Sequence, residues 1–144
     1  MKKVLLTLAI TFSALIASAQ FMVITNYESE WEKEGTMNAF TRDLGIGYMV
    51  NDAFTVGLAK GVVDAEGDDT FDLWARYNIA QVEGAYASLQ MPTEDGSENM
   101  RIGVGFAFNV WNGLYVEPNY TMPTKADDED KREGSFNLGV SYRF

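Results

Sequence analysis

The chain has 144 residues, 47% of them hydrophobic and 13% aromatic, and carries 21 acidic against 11 basic side chains for a net charge of −10. It contains neither Cys nor His, which removes disulfides, thiolate chemistry, the commonest general base and the commonest transition-metal ligand. The acidic balance argues against a nucleic-acid partner, which needs a basic footprint, and no catalytic group, cofactor or metal site is expected.

Met1-Lys2-Lys3 is a short basic start, Val4 to Ala17 is mostly apolar, and Ala17-Ser18-Ala19 offers small residues for cleavage. Residues 1–19 therefore read as a secretory signal peptide. The run is too short for a spanning helix, which needs roughly 20 apolar residues. Residues 20–144 then form one domain. Without Lys2 and Lys3 it has 9 basic residues against 21 acidic, a net charge of −12.

Alternation of apolar and polar residues recurs through this domain, and successive side chains of a strand point to opposite faces. Eight strands are expected, at 20–28, 37–50, 53–62, 70–79, 81–90, 99–109, 114–122 and 135–144. Tight turns are expected at Asn51-Asp52, at Asn78-Ile79-Ala80 and at Trp111-Asn112-Gly113. The connections around 29–36, 63–69, 91–98 and 123–134 are longer, polar and acidic.

The last strand alternates most cleanly. Phe136, Leu138, Val140, Tyr142 and Phe144 share one face, and Ser135, Asn137, Gly139, Ser141 and Arg143 share the other. Most of the other strands follow suit. Ile102, Val104 and Phe106 oppose Arg101, Gly103 and Gly105; Phe71, Leu73 and Tyr77 oppose Asp72, Trp74 and Arg76. Phe21, Val23 and Tyr27 are placed on the apolar face of the first strand. The fifth strand is irregular. Placing Glu83 on the polar face sends Tyr86 to the apolar one, together with Gly84, Ser88 and Gln90, which implies a bulge or a shifted boundary.

The polar face decides which side is enclosed. Seven of the 13 glycines (45, 47, 57, 61, 103, 105 and 139) lie on it, as the cramped interior of an eight-stranded barrel requires. It also carries Asp43, Asp72, Glu83 and Glu117 against Arg76, Arg101 and Arg143, charges that must pair once enclosed. The expected fold is thus all-β, an eight-stranded antiparallel up-and-down transmembrane barrel with its large apolar side chains outward. Ten residues at about 3.3 Å each, tilted about 40–45°, rise about 24 Å, close to the apolar band of about 25 Å in such barrels. Phe144, Tyr142 and Phe54 would girdle the short-turn rim, and Tyr27, Tyr120 and Phe71 the loop rim.

This pattern resembles the small bacterial outer-membrane barrels of the OmpX, OmpW and OmpA-transmembrane-domain type. The most specific part of the resemblance is the final strand, Phe136, Leu138, Val140, Tyr142 and Phe144. In that family such a strand is read by the barrel assembly machinery. The resemblance implies residence in the outer membrane as a monomer, with lipid and lipopolysaccharide as surroundings and with the assembly machinery and periplasmic chaperones as partners during biogenesis. The short loops and the ending at the barrel imply neither large adhesive projections nor a peptidoglycan-binding domain.

Three functional readings stay open at this point. The first is a structural or surface-interaction role with a plugged polar interior. The second is a narrow, porin-like passage for ions or small solutes. The third is a soluble, lipocalin-like barrel that binds an apolar ligand. Catalysis is not expected: a deacylase-type site needs a His base beside its Ser, and Asp72 and Glu117 are better used as partners for arginines. The Gly-x-Gly pairs at 45–47 and 103–105 lie mid-strand with no following helix, so they are not nucleotide loops. Sixteen of the 21 carboxylates fall in the long connections, where oxygen ligands could bridge divalent cations to anionic lipid. Asp127-Asp128-Glu129-Asp130 lacks the glycine and spacing of an EF-hand, and a solvated, repulsive acidic surface is the expected reading of these loops.

Overall fold

A computed structural model describes residues 20–27, 44–61, 70–93, 98–126 and 131–144. The expected signal peptide at 1–19, Asp43 and most of the acidic connections lie outside the described residues. Within them are nine strand segments and no helix: β1 (Phe21–Tyr27), β2 (Gly45–Met49), β3 (Phe54–Lys60), β4 (Phe71–Asn78), β5 (Ala85–Pro92), β6 (Arg101–Phe106), β7 (Phe108–Trp111), β8 (Leu114–Pro123) and β9 (Ser135–Arg143).

The segments make an eight-stranded barrel. Neighbours along the chain pair antiparallel from β1 to β6, β6 and β7 both pair with β8, β8 with β9, and β9 returns to β1. β6 and β7 are one strand with a gap in its ladder. The pairs on either side, Gly105↔Asn119 and Phe108↔Val116, put that gap opposite Glu117 and Pro118. Pro118 has no N–H to donate, so a ladder bond is missing there. Closure runs from Met22↔Arg143 to Tyr27↔Leu138 and is finished by the Phe144 amide donating to the Phe21 carbonyl at 2.9 Å. Among the described residues no strand edge is left open, which is how a barrel avoids edge-to-edge pairing.

Three tight turns share one rim with residues 20 and 144. In the first, Asn51 Oδ1 accepts from the amides of Ala53 (2.8 Å) and Phe54 (2.9 Å), a local bond that replaces ladder pairing at a turn. In the third, Asn112 and Gly113 both have positive φ, 23° and 88°, and they connect the paired Trp111 and Leu114. A two-residue Asn-Gly hairpin suits the right-handed strand twist.

The second turn differs from the sequence expectation. It spans 79–84 rather than 78–80, so the strand starts at Ala85 instead of residue 81. The Ala85 carbonyl accepts from the Ile79 amide at 2.9 Å, and the Gly84 carbonyl accepts from the Ala107 amide at 2.8 Å. Gly84 holds φ +82°, and a Cβ there would meet the Ala107 carbonyl oxygen at 2.8 Å. Glycine is the residue that takes such a conformation without strain. The turn breaks the alternation between Glu83 and Tyr86, and the strand that follows carries the opposite side-chain parity.

Candidate functional site: the lumen and the outer face

The enclosed face is polar and small, as the sequence implies. Its centre is Glu117 on β8, which has no exposed surface. Arg76 on β4, only 4% exposed, grips it with both terminal nitrogens, Nη1 to Oε1 at 3.0 Å and Nη2 to Oε2 at 2.5 Å. Ser141 on β9 donates its hydroxyl to Oε1 at 2.6 Å, and Arg143 Nη2 reaches the same oxygen at 3.4 Å. In the ring of eight strands, β4 and β9 stand opposite each other. Two guanidiniums from opposite walls therefore meet on one carboxylate. Two-point pairing and a further hydroxyl supply the bonds that an enclosed carboxylate loses from water.

Aromatic rings back both cations. The Arg76 guanidinium lies 3.8 Å from the Tyr86 ring centroid, and that of Arg143 lies 3.9 Å from the centroid of Tyr115. Such stacking is stronger when water is excluded. The opposite wall is thin. A Cβ at Gly47 would lie 2.5 Å from Trp74 Cη2, and one at Gly57 2.5 Å from Trp74 Cε2. The Trp74 indole thus lies flat over two glycines of β2 and β3 and fills the volume their side chains would have taken, beside the buried Met22.

A second polar layer lies toward the long connections. Gln90 donates to Asp72 Oδ2 at 2.5 Å. Among the described residues, Arg101 reaches hydroxyls rather than a carboxylate: Ser135 at 3.2 Å and Thr121 at 3.4 Å. Asn137 bridges to Asn119 and Thr121 at 3.3 and 3.2 Å.

The charges expected inside thus divide. Asp72, Arg76, Arg101, Glu117 and Arg143 face the lumen, but only Arg76, Glu117 and Arg143 form one network. Asp43 lies outside the described residues. Glu83 is a correction: it sits exposed in the turn at 79–84, not in the lumen. Tyr86 is corrected with it. It was expected outward but is 3% exposed against Arg76. Both corrections come from the one turn: residues 81–84 are not extended, so an alternation counted from Glu83 does not carry into β5. Ser141 had been placed on the right face, but nothing in its spacing marked it as a Glu117 partner. The available signal is a carboxylate on the neighbouring strand, diagonal to the hydroxyl: Glu117 pairs with Gly139 and Ser141 with Tyr115.

The outer face is apolar. Twenty-one large hydrophobic side chains are exposed among the described residues. Ile46, Val56, Leu58, Leu73, Leu89, Ile102, Val104 and Leu138 lie within β2, β3, β4, β5, β6 and β9, with Leu44 just before β2. Aromatic pairs stand at the ends: Phe54–Tyr77 and Tyr142–Phe144 toward the tight turns, Tyr120–Phe136 toward the long connections, with ring centroids 5.0, 4.9 and 4.8 Å apart. Phe136, Leu138, Tyr142 and Phe144 of the final strand are 85, 44, 40 and 53% exposed, and Val140 is half-buried on the same face. The side chain of Tyr27 is outside what the structure describes.

Of the loop carboxylates, Glu98 and Glu133 are described and exposed, and Glu98 pairs with Lys125 at 3.2 Å. No group of three or more carboxylates that could hold a metal ion occurs among the described residues. No protein-family model matches the chain, and no curated protein or solved structure matches it either.

Proposed function

We propose that this chain is an integral bacterial outer-membrane barrel, of the OmpX, OmpW or OmpA-transmembrane type, exported by a cleaved signal peptide. Its role is structural or one of surface interaction, and its polar interior is plugged. The observation that carries this reading is the inverted distribution of side chains: ionic and amide groups fill the enclosed lumen, while Ile46, Leu58, Leu73, Val104 and Leu138 face out at 44–57% exposure. A water-soluble barrel buries its large apolar face. Contiguous apolar surface beyond a few hundred Å² marks contact with membrane or protein. Lipid also demands that backbone polar groups be satisfied within the structure, and the closed ladder supports the reading by doing so for the described strands except at the gap opposite Glu117 and Pro118.

A soluble ligand-binding barrel needs an apolar cavity, whereas this lumen holds Arg76, Glu117, Arg143 and Asn119. The test is fractionation followed by electrophoresis. The protein is expected to require detergent for extraction from the outer-membrane fraction, and to migrate faster unheated than boiled. Recovery as a monodisperse species in plain buffer would overturn the proposal.

A further inference from the structure

Gln20 is fixed in place before the ladder of β1 begins. The Met49 amide donates to its carbonyl at 2.7 Å, and the Tyr48 hydroxyl donates to its side-chain Oε1 at 2.6 Å. Tyr48 stands opposite Phe21 across β1 and β2, with ring centroids 5.5 Å apart, so packing sets the position of that hydroxyl. Only the oxygen of the Gln20 amide is engaged; among the described residues nothing holds its nitrogen. Cleavage after Ala19 makes this same residue the amino terminus. Its α-amine and its side-chain carbonyl carbon then belong to one residue, an intramolecular arrangement from which a lactam ring closes without a second reactant.

We propose that Gln20 is a modification site: once the segment before it is removed, Gln20 closes to pyroglutamate, with Tyr48 holding the amide oxygen. The inference rests on the proposed export, because only cleavage after Ala19 frees that amine. In the step, the neutral α-amine attacks Cδ and an N–Cδ bond forms. Negative charge gathers on Oε1, where the Tyr48 hydroxyl already donates. A donor placed where charge develops lowers such a barrier. The carbonyl then re-forms and the Cδ–Nε2 bond breaks. The proton given up by the α-amine leaves with Nε2 as ammonia. Nothing is oxidised or reduced, and no co-reactant is consumed. The product keeps the Oε1 carbonyl as the acceptor for Tyr48 and loses the terminal positive charge. Under the membrane reading this end of β1 lies at the lipid boundary, where desolvating an ammonium costs more than desolvating a neutral lactam.

The test is to express the full precursor in a Gram-negative host and to extract the barrel from the outer membrane. Intact mass and mass spectrometry of the first peptide then read its amino terminus. The expected chain starts at residue 20 and is lighter than unmodified 20–144 by one ammonia. A chain that starts at Gln20 with amine and amide intact would overturn the proposal and leave the export reading standing. A chain that starts elsewhere would overturn both. Tyr48→Phe keeps the ring and removes the hydroxyl. Sampled shortly after induction, this variant is expected to carry a several-fold larger uncyclised share than the wild type. Equal shares, in barrels that respond alike to heating on gels, would remove the part given to Tyr48.

Discussion

At the residue scale, the lumen separates two arginines that look alike in the sequence. Both Arg76 and Arg101 fall mid-strand on the small polar face, and both were expected to hold a carboxylate. Among the described residues only Arg76 does, because Glu117 of β8 reaches across to β4, while Arg101 ends among Ser135 and Thr121. Removing one partner of an enclosed ion pair leaves the other charged and unpaired. Arg76→Ala is therefore expected to cost about 3 kcal/mol, the low end for such losses because Arg143 and Ser141 remain on Glu117. Arg101→Ala gives up two long hydrogen bonds to hydroxyls and is expected to cost about 1 kcal/mol or less. Urea unfolding of the detergent-folded variants measures both. Equal costs would mean that the Glu117 network adds nothing beyond ordinary hydrogen bonds.

The face each residue takes was legible at this scale wherever the strand boundary was legible. The small side chains of Gly47 and Gly57 pointed correctly to a crowded interior. What crowds it was not legible: the spacing of Trp74 says that it points inward, but not that its ring turns sideways over β3 and β2.

At the element scale, alternation located β1, β3, β4, the combined β6–β7 strand, β8 and β9 to within about two residues at each boundary, the usual uncertainty of such assignments. It failed on β5 because the segment before it hides its turn. Gln81-Val82-Glu83 alternates like a strand, and the sole punctuation is Gly84, whose need for positive φ depends on the contact with Ala107. A turn defined by a tertiary contact leaves little trace in local sequence.

The last strand shows the opposite case. β9 carries an uninterrupted apolar outer face, supplies two partners for Glu117 and closes the barrel against β1. Phe144 contributes the final ladder bond to Phe21 and packs edge-on against Tyr142, with ring centroids 4.9 Å apart. Deleting Phe144 is expected to lower the amount of heat-modifiable barrel in the outer membrane several-fold, while Glu133→Ala, on an exposed loop carboxylate, leaves it unchanged. Immunoblots of unboiled membrane fractions make the comparison. Equal levels for both variants would remove the special role given to this strand.

At the scale of the whole molecule, the question is whether a closed barrel is also a closed channel. An eight-stranded barrel encloses a space only just wide enough for side chains. Here that space is crossed from both sides: Arg76 and Arg143 meet on Glu117, Tyr86 and Tyr115 stack behind them, and Trp74 covers the thin wall of β2 and β3. A hydrated ion passing this layer would have to separate at least one guanidinium from Glu117 and expose the carboxylate, at a cost that the passing ion does not repay. These contacts tie β4 to β8, β4 to β5, β8 to β9, and β4 to β2 and β3, so opening the layer also loosens the wall. Purified protein reconstituted into planar bilayers is therefore expected to show no steady open-channel steps. Reproducible unitary steps from folded wild-type protein would mean that the Glu117 layer opens, and the porin-like reading would replace the plugged one.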